Sequence, residues 1–359
     1  MGLEACGSVR SDGPMPENPS NVRGDRARGK SFNRRTTTAL EYKLNRQLIA
    51  KLISPPRKGA ARQHASTMSY LKTIGGVKVP RFFPDDAVLS ALAYHPHPGD
   101  IYVTTYPKCG TTWVQYIVYE LFGVDSLDVI PRPRTIKTHL PINESQFSAC
   151  AKYIYVARNP HDVCISRYYQ TRTYTINEKD VADFDRYLRD FTAGQVSYGD
   201  YLDDSLLHWY SRRNEPNVLF LTYEDLHDTT VLQVKRIAEF LGEEYGERVR
   251  KDPAMLQRVV NMTSKERMRP LFRTYLADFL KFTARERLGR NAPVSPELQD
   301  VVEFLSDCQG PRHEFVRNGA AGAYETFLSK DQKEVIEDWF LSKASGTGVI
   351  DLWPDINRH

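Results

Sequence analysis

The 359-residue sequence contains no apolar run near the roughly 18 residues that a membrane-spanning helix needs. Its first residues lack the apolar segment of a secretory signal peptide. Cysteine is scarce: Cys6, Cys109, Cys150, Cys164 and Cys308 are odd in number and show no metal-ligand spacing. That argues against a disulfide framework and a cysteine metal site, and it predicts a reducing, cytoplasmic setting without metal. MGLEAC departs from a myristoylation start, because Cys6 stands where Ser or Thr is expected. No internal repeat is visible.

What is present is ordinary in amount and uneven in placement. The chain is 41% hydrophobic and 26% charged, as expected of a globular protein, with a formal net charge of +4. Residues 1–67 hold 13 Lys and Arg against five Asp and Glu, whereas the remainder holds 36 against 40. The body is slightly acidic and the extension is basic. The extension is rich in Gly, Pro, Ser, Arg and Asn, and it is predicted to be mostly disordered. Within it, LEYKLNRQLIAKLI spaces Leu40, Leu44, Leu48 and Leu52 as an amphipathic helix would. Such a helix could meet a membrane or a partner, though an inert extension is the simpler reading. Its arginines hint at organelle targeting, but Glu4, Asp12, Glu17, Asp25 and Glu41 argue against that.

From Met68 onward, strand and helix patterns alternate. IYVTTY (101–106), TIKTH (135–139), YIYVA (153–157) and NVLFLTY (217–223) read as short strands. Helical stretches follow the first, third and fourth, and Gly242 ends the last of them. This order predicts one α/β domain with a central parallel sheet flanked by helices. The C-terminal third is mainly helical, and SKDQKEVIEDWF opens on a Ser329–Gln332 capping box.

The segment YPKCGTTW (106–113) interrupts a buried-looking strand with a small-residue turn and then starts a helix. Gly110 permits close backbone approach, the first helical N–H groups lack carbonyl partners, and Lys108 adds charge. That combination suits a phosphate-like anion; an ordinary strand-to-helix turn with a capping threonine is the alternative. A Walker A loop is excluded, because its Lys follows the last Gly while Lys108 precedes Gly110. The neighbouring strand ends in KTHLP, which offers His139 where a magnesium-dependent phosphoryl transferase would want an aspartate.

YPKCGTTW resembles the 5′-phosphosulfate loop of the cytosolic sulfotransferases, usually YPKSGTTW. KTHLP (137–141) is similar to the family's catalytic-histidine segment. YVARNPHDVCISRYY (155–169) resembles its 3′-phosphate segment, and LTYEDL (221–226) extends the match over about residues 75–340. The resemblance implies a P-loop-kinase-like sulfotransferase fold over residues 68–359. It implies transfer of the sulfuryl group of 3′-phosphoadenosine 5′-phosphosulfate (PAPS) to a hydroxyl or amine of a small molecule such as a phenol, alcohol or catecholamine. No metal and no nucleic acid enter.

By resemblance, Lys108 and Lys137 supply charge, His139 is the acceptor-side base, and Gly110, Thr111 and Thr112 hold the 5′-phosphate. Arg158 and Ser166 would hold the 3′-phosphate. Trp113 would stack on adenine, with Tyr223 and Thr263 near the purine. The family's glycine-rich RKGxxGDWK reads RNGAAGAYE here (317–325). Arg317 and Gly319 survive and Asn318 replaces a lysine, so that loop is expected to bind phosphate with less charge. Lys265 stands where many relatives stack an aromatic on adenine. Between Thr263 and Arg317 the chain is longer than the family pattern, and LFRTYLADFLKF (271–282) is predicted to be an apolar-faced helix there. The family dimer motif KxxxTVxxxE reads ETFLSKDQKE (325–334), which leaves a homodimer open without support. Two alternatives remain: a relative that drives dehydration of a lipid alcohol, and a catalytically weak nucleotide-binding protein.

Deletion up to Met68 is expected to leave soluble protein with sulfuryl-transfer activity, since the extension precedes every motif. Loss of activity in the truncated protein, with the full chain active, would show that the extension packs on the domain.

Overall fold

Strand and helix alternate into a parallel sheet in the computed structural model, which describes residues 71–81, 83–123, 134–141, 147–174, 183–269 and 321–357. The extension 1–67, LFRTYLADFLKF, Arg317, Asn318 and Gly319 lie outside the described residues. An antiparallel hairpin comes first, β1 (Leu71–Ile74) and β2 (Val77–Pro80), followed by α1 (Asp85–Leu92). The sheet is built from β3 (Asp100–Thr104), β4 (Arg134–Thr138), β5 (Lys152–Ala157) and β6 (Val218–Thr222). Its order is β4-β3-β5-β6, with every neighbouring pair parallel.

All four strands therefore end at one edge. The chain leaves β3 toward β4 on one side and returns to β5 on the other, so the β3–β5 pair is a topological switch point, where α/β sheets open a crevice.

Period-two alternation sorts the core into two layers. Ile101, Val103, Ile154 and Val156 face an aliphatic layer. It is covered by α2 (Thr111–Phe122) and then, after the short α6 (Tyr223–Asp228), by α7 (Thr230–Leu241), α8 (Glu243–Lys251) and α9 (Pro253–Met262). Tyr102, Tyr153 and Tyr155 face the opposite, aromatic layer. There they meet α3 (Pro160–Tyr174), α4 (Phe184–Thr192), α5 (Leu207–Ser211) and α11 (Lys330–Ala344); the short α10 is Lys265–Met268. Both faces are covered, as the apolar strands required. Among the described residues no helix is long and apolar enough to cross a membrane.

The predicted capping box forms: Ser329 Oγ accepts from the Gln332 N–H at 3.2 Å, and Gln332 Oε1 accepts from the Ser329 N–H at 3.0 Å. Helix α11 is pinned at Asp200, whose Oδ2 accepts from Lys343 Nζ at 2.7 Å and Trp339 Nε1 at 3.3 Å. Its Oδ1 accepts from the Leu202 and Asp203 N–H groups, opening a π-helical turn at Leu202–Leu206.

Asp200→Ala removes the acceptor of Trp339 Nε1 and of the Leu202 and Asp203 N–H groups, while Lys343 keeps Asp203, at a cost of about 2–4 kcal/mol. A urea midpoint unchanged in this variant would show that α11 is held by apolar packing alone.

Candidate active site

The C-terminal edge of the sheet gathers the residues singled out above. Loop 105–110 leaves β3 and enters α2 through Gly110, at φ 97°. A Cβ at Gly110 would come within 3.0 Å of the Tyr223 ring. The loop also carries Lys108 at φ 74°, a left-handed conformation rarely held by a side chain other than glycine. The first-turn N–H groups of α2 point out of the sheet edge, and their dipoles favour an anion.

Lys137 and His139 reach this loop from the adjacent strand. Val103 pairs with Lys137 and Thr104 with Thr138, and the Thr105 N–H donates to the Thr138 carbonyl at 3.4 Å. Lys137 Nζ donates to Thr112 Oγ1 at 2.6 Å. Thr105 and Thr111 join hydroxyl to hydroxyl.

His139 Nδ1 lies 2.9 Å from the Thr105 carbonyl oxygen. A carbonyl can only accept, so Nδ1 carries the proton and Nε2 presents a lone pair. Burial, followed by the positive charge of Lys137, lowers this imidazole to about 3, against a smaller upward pull from the Thr105 carbonyl. The ring is neutral at physiological pH. It meets the Tyr198 ring in a T-shaped contact at 5.5 Å between centroids.

Arg158 follows β5 and is buried. Its Nη1 donates to the Lys108 carbonyl at 3.0 Å, its guanidinium lies 4.1 Å from the Tyr223 ring centroid, and Nη2 is 3.6 Å from Asp162. This arginine spans the switch point. Ser166 lies four residues beyond Asp162 on α3, one helical turn along the same face. Trp113 meets Tyr223 edge to face at 5.7 Å, and its buried indole N–H has no acceptor among the described residues. Thr263 caps the end of α9, its hydroxyl donating to the Val259 carbonyl at 2.8 Å. Lys265 begins α10 and is exposed.

Of the predicted residues, Lys108, Gly110, Thr111, Thr112, Lys137, His139 and Arg158 converge on one loop, with Trp113 and Tyr223 forming an aromatic corner beside it. Cys109 is fully buried and burial pushes its thiol up to about 12, so no thiolate stands in the loop.

Several residues within the quoted motifs had no assigned part. Asp162 Oδ2 accepts from the Gly322 N–H at 2.9 Å, tying the end of the glycine loop to α3 beside Arg158. Tyr324 stacks on His161 at 4.5 Å between centroids, and His161 Nε2 lies 3.3 Å from Glu337. Burial lowers His161 to about 4. Glu224 accepts from the Asn159 N–H at 2.9 Å and from Trp353 Nε1 at 3.2 Å, and burial raises its carboxyl. The motif text contained these residues, but their partners lie far away in sequence.

This arrangement gathers a helix N-terminus, Lys108, Lys137 and Arg158 at one sheet edge, with a neutral imidazole beside them. A sulfotransferase-domain model matches residues 123–273. Sulfotransferase 1B1 of Mus musculus is 30% identical over 292 residues, covering 72% of this chain and 87% of that protein. The crystal structure of mouse sulfotransferase SULT7A1 complexed with PAP superposes with a TM-score of 0.56 at 21% identity, covering 80% of this chain and 98% of that one. Retinol dehydratase in a complex with retinol and PAP gives 0.54 at 20% identity, covering 76% and 88%. The chain belongs to the sulfotransferase family, whose enzymes move a sulfuryl group onto an acceptor.

The two neutral imidazoles make stability depend on pH. Both lie below the unfolded value of about 6.5, so the unfolded chain binds more protons below that pH. Their contribution is complete above it and is lost as pH falls toward 4 for His161 and 3 for His139. The urea midpoint is expected to drop between about pH 6.5 and 4.5, and to drop less steeply in His161→Gln. Equal slopes would show that His161 does not titrate on unfolding.

Proposed function

We propose that this sulfotransferase takes its sulfuryl group from PAPS and passes it to a hydroxyl or amine of a small molecule, with His139 as the acceptor-side base. The observation that carries the reading is the fixed tautomer of His139. Its Nδ1–H is committed to the Thr105 carbonyl, leaving Nε2 to accept a proton.

The residues fit the donor. Gly110 keeps the loop open where a Cβ would strike Tyr223. The α2 N-terminus, Thr111, Thr112 and Lys108 suit a 5′-phosphate. Trp113 and Tyr223 offer an aromatic corner for a base, and the Trp113 N–H offers an unused donor. Arg158, with Ser166 further along α3, suits the 3′-phosphate. The PAP carried by mouse SULT7A1 and retinol dehydratase supports the same class of nucleotide.

When bound, PAPS supplies an activated sulfuryl group on a phosphate leaving group. The chain's own part is positioning and charge. Lys108 and Lys137 hold fixed cations where oxygens become more negative as a bond breaks, a form of stabilisation that needs no reorganisation. His139 Nε2 accepts the acceptor's proton while Nδ1–H keeps the ring oriented. Burial first and the Lys137 charge second hold the imidazole in its base form, and an anionic donor beside the lysines offsets the part that is due to charge.

His139→Ala is expected to lower turnover about 100-fold while donor binding persists. Near-normal turnover in folded protein would remove His139 from this part. Adenosine 3′,5′-bisphosphate is expected to bind more tightly than AMP by about 1.5–3 kcal/mol, and Arg158→Ala to erase most of that difference. Product analysis by mass spectrometry separates a sulfate ester from a dehydrated acceptor and from no turnover.

A further inference from the structure

Arg167 stands out among the described residues as the largest fully buried side chain, 1% exposed, on the helix that follows Arg158. Burying a guanidinium is costly, and an apolar side chain of similar volume would fill the space without that cost. Both nitrogens at the tip of the fork donate hydrogen bonds. Nη2 donates to the Ser197 carbonyl at 3.0 Å and to Ser197 Oγ at 2.6 Å, and Nη1 donates to Gln170 Oε1 at 2.5 Å. The guanidinium also lies 5.6 Å from the ring centroid of Tyr106, the residue that opens YPKCGTTW.

Ser197 is one of three consecutive gripped residues. The Tyr198 N–H donates to the Lys78 carbonyl at 2.7 Å, and the Gly199 carbonyl accepts from the Tyr106 hydroxyl at 2.9 Å. Between these anchors Tyr198 is held at φ 70°, one of two described residues other than glycine with positive φ; the other is Lys108 in the loop between β3 and α2. Strained backbone persists only where its surroundings over-determine it. The strained residue is the one whose ring meets His139 in a T-shaped contact.

We propose that Arg167 is a positioning residue for sulfuryl transfer, clamping Ser197–Gly199 so that Tyr198 braces the His139 ring. The inference rests on His139 being the acceptor-side base. Burial does most to hold the imidazole unprotonated and Lys137 is next, with Arg167 and Lys108 adding smaller pulls of the same sign. The fork serves Ser197 through Nη2 and Gln170 through Nη1 at once, a two-nitrogen span that a single lysine ammonium does not reproduce.

The test uses the full chain with 15N-labelled histidine, the His139 resonance being assigned by its loss in His139→Asn. Arg167→Met is expected to raise the His139 titration midpoint, because a like charge is removed, whereas Arg167→Lys keeps it near the wild-type position. With PAPS and 4-nitrophenol, kcat is expected to fall about 10- to 100-fold in Arg167→Met with donor KM within about threefold. Arg167→Lys restores only part of that loss. Ser197→Ala, which leaves the arginine in place but removes one of its acceptors, is expected to lower kcat about three- to tenfold. If Arg167→Met does not fold, Arg167→Lys and Ser197→Ala decide the matter through kcat and donor KM. Wild-type kcat in the folded variants, or a donor KM that rises in step with the fall in kcat, overturns the proposal. A wild-type chain that sulfates no acceptor would overturn the proposed function, whereas the His139 midpoint judges the Arg167 arrangement without turnover.

Discussion

Everything at the site depends on the register between two parallel strands. Pairing Val103 with Lys137 brings the end of β4 level with the loop leaving β3. The Thr105 carbonyl then meets His139 Nδ1, and the Lys137 ammonium meets Thr112. Side chains alternate with period two along a strand, so a slip of one residue would turn Lys137 and His139 to the opposite face together. The Thr105 N–H to Thr138 carbonyl bond extends that register one step beyond the strand. An imidazole, an ammonium and a helix N-terminus are thus placed by backbone pairing before any side chain chooses a rotamer.

That much could be read from sequence because it is local. Each of IYVTTY, TIKTH, YIYVA and NVLFLTY carries its own strand signal, and each important side chain lies at or just past a strand end. Parallel topology then brings those ends together. The tautomer of His139 could not be read, because it needs the Thr105 carbonyl, 34 residues away. The anchoring of Gly322 by Asp162 spans 160 residues. Arg167 was invisible for a related reason: in ISRYYQTR it looks like one more polar residue on a weakly amphipathic helix, and only Ser197 reveals that it points inward. Local pattern reports propensity and face, whereas a buried polar group is defined by its partner.

The substituted glycine loop shows the same contrast. Its residues differ from the pattern RKGxxGDWK by losing positive charge, and the described end of the loop spends its side chains on its own chain. Tyr324 lies flat on His161, and Glu325 accepts from Lys333 at 2.8 Å. Glu325 and Lys333 both fall within the segment where the family dimer motif would lie, so these side chains bind one another within the chain. The Gly322 N–H, committed to Asp162, fixes where the loop returns to the domain. Contacts to α3 thus define the loop's exit beside Arg158.

Cys109 occupies the middle of the loop between β3 and α2, where the family pattern has serine. Oxidants and electrophiles react with thiolate, and a fully buried thiol held far up its titration range offers almost none. The loop therefore keeps the chemical inertness of a hydroxyl while carrying sulfur. Among the described cysteines, Cys150, exposed just before the start of β5, is the one that a reagent would meet first. Among the described cysteines, oxidative modification would begin at Cys150 and leave the loop between β3 and α2 intact.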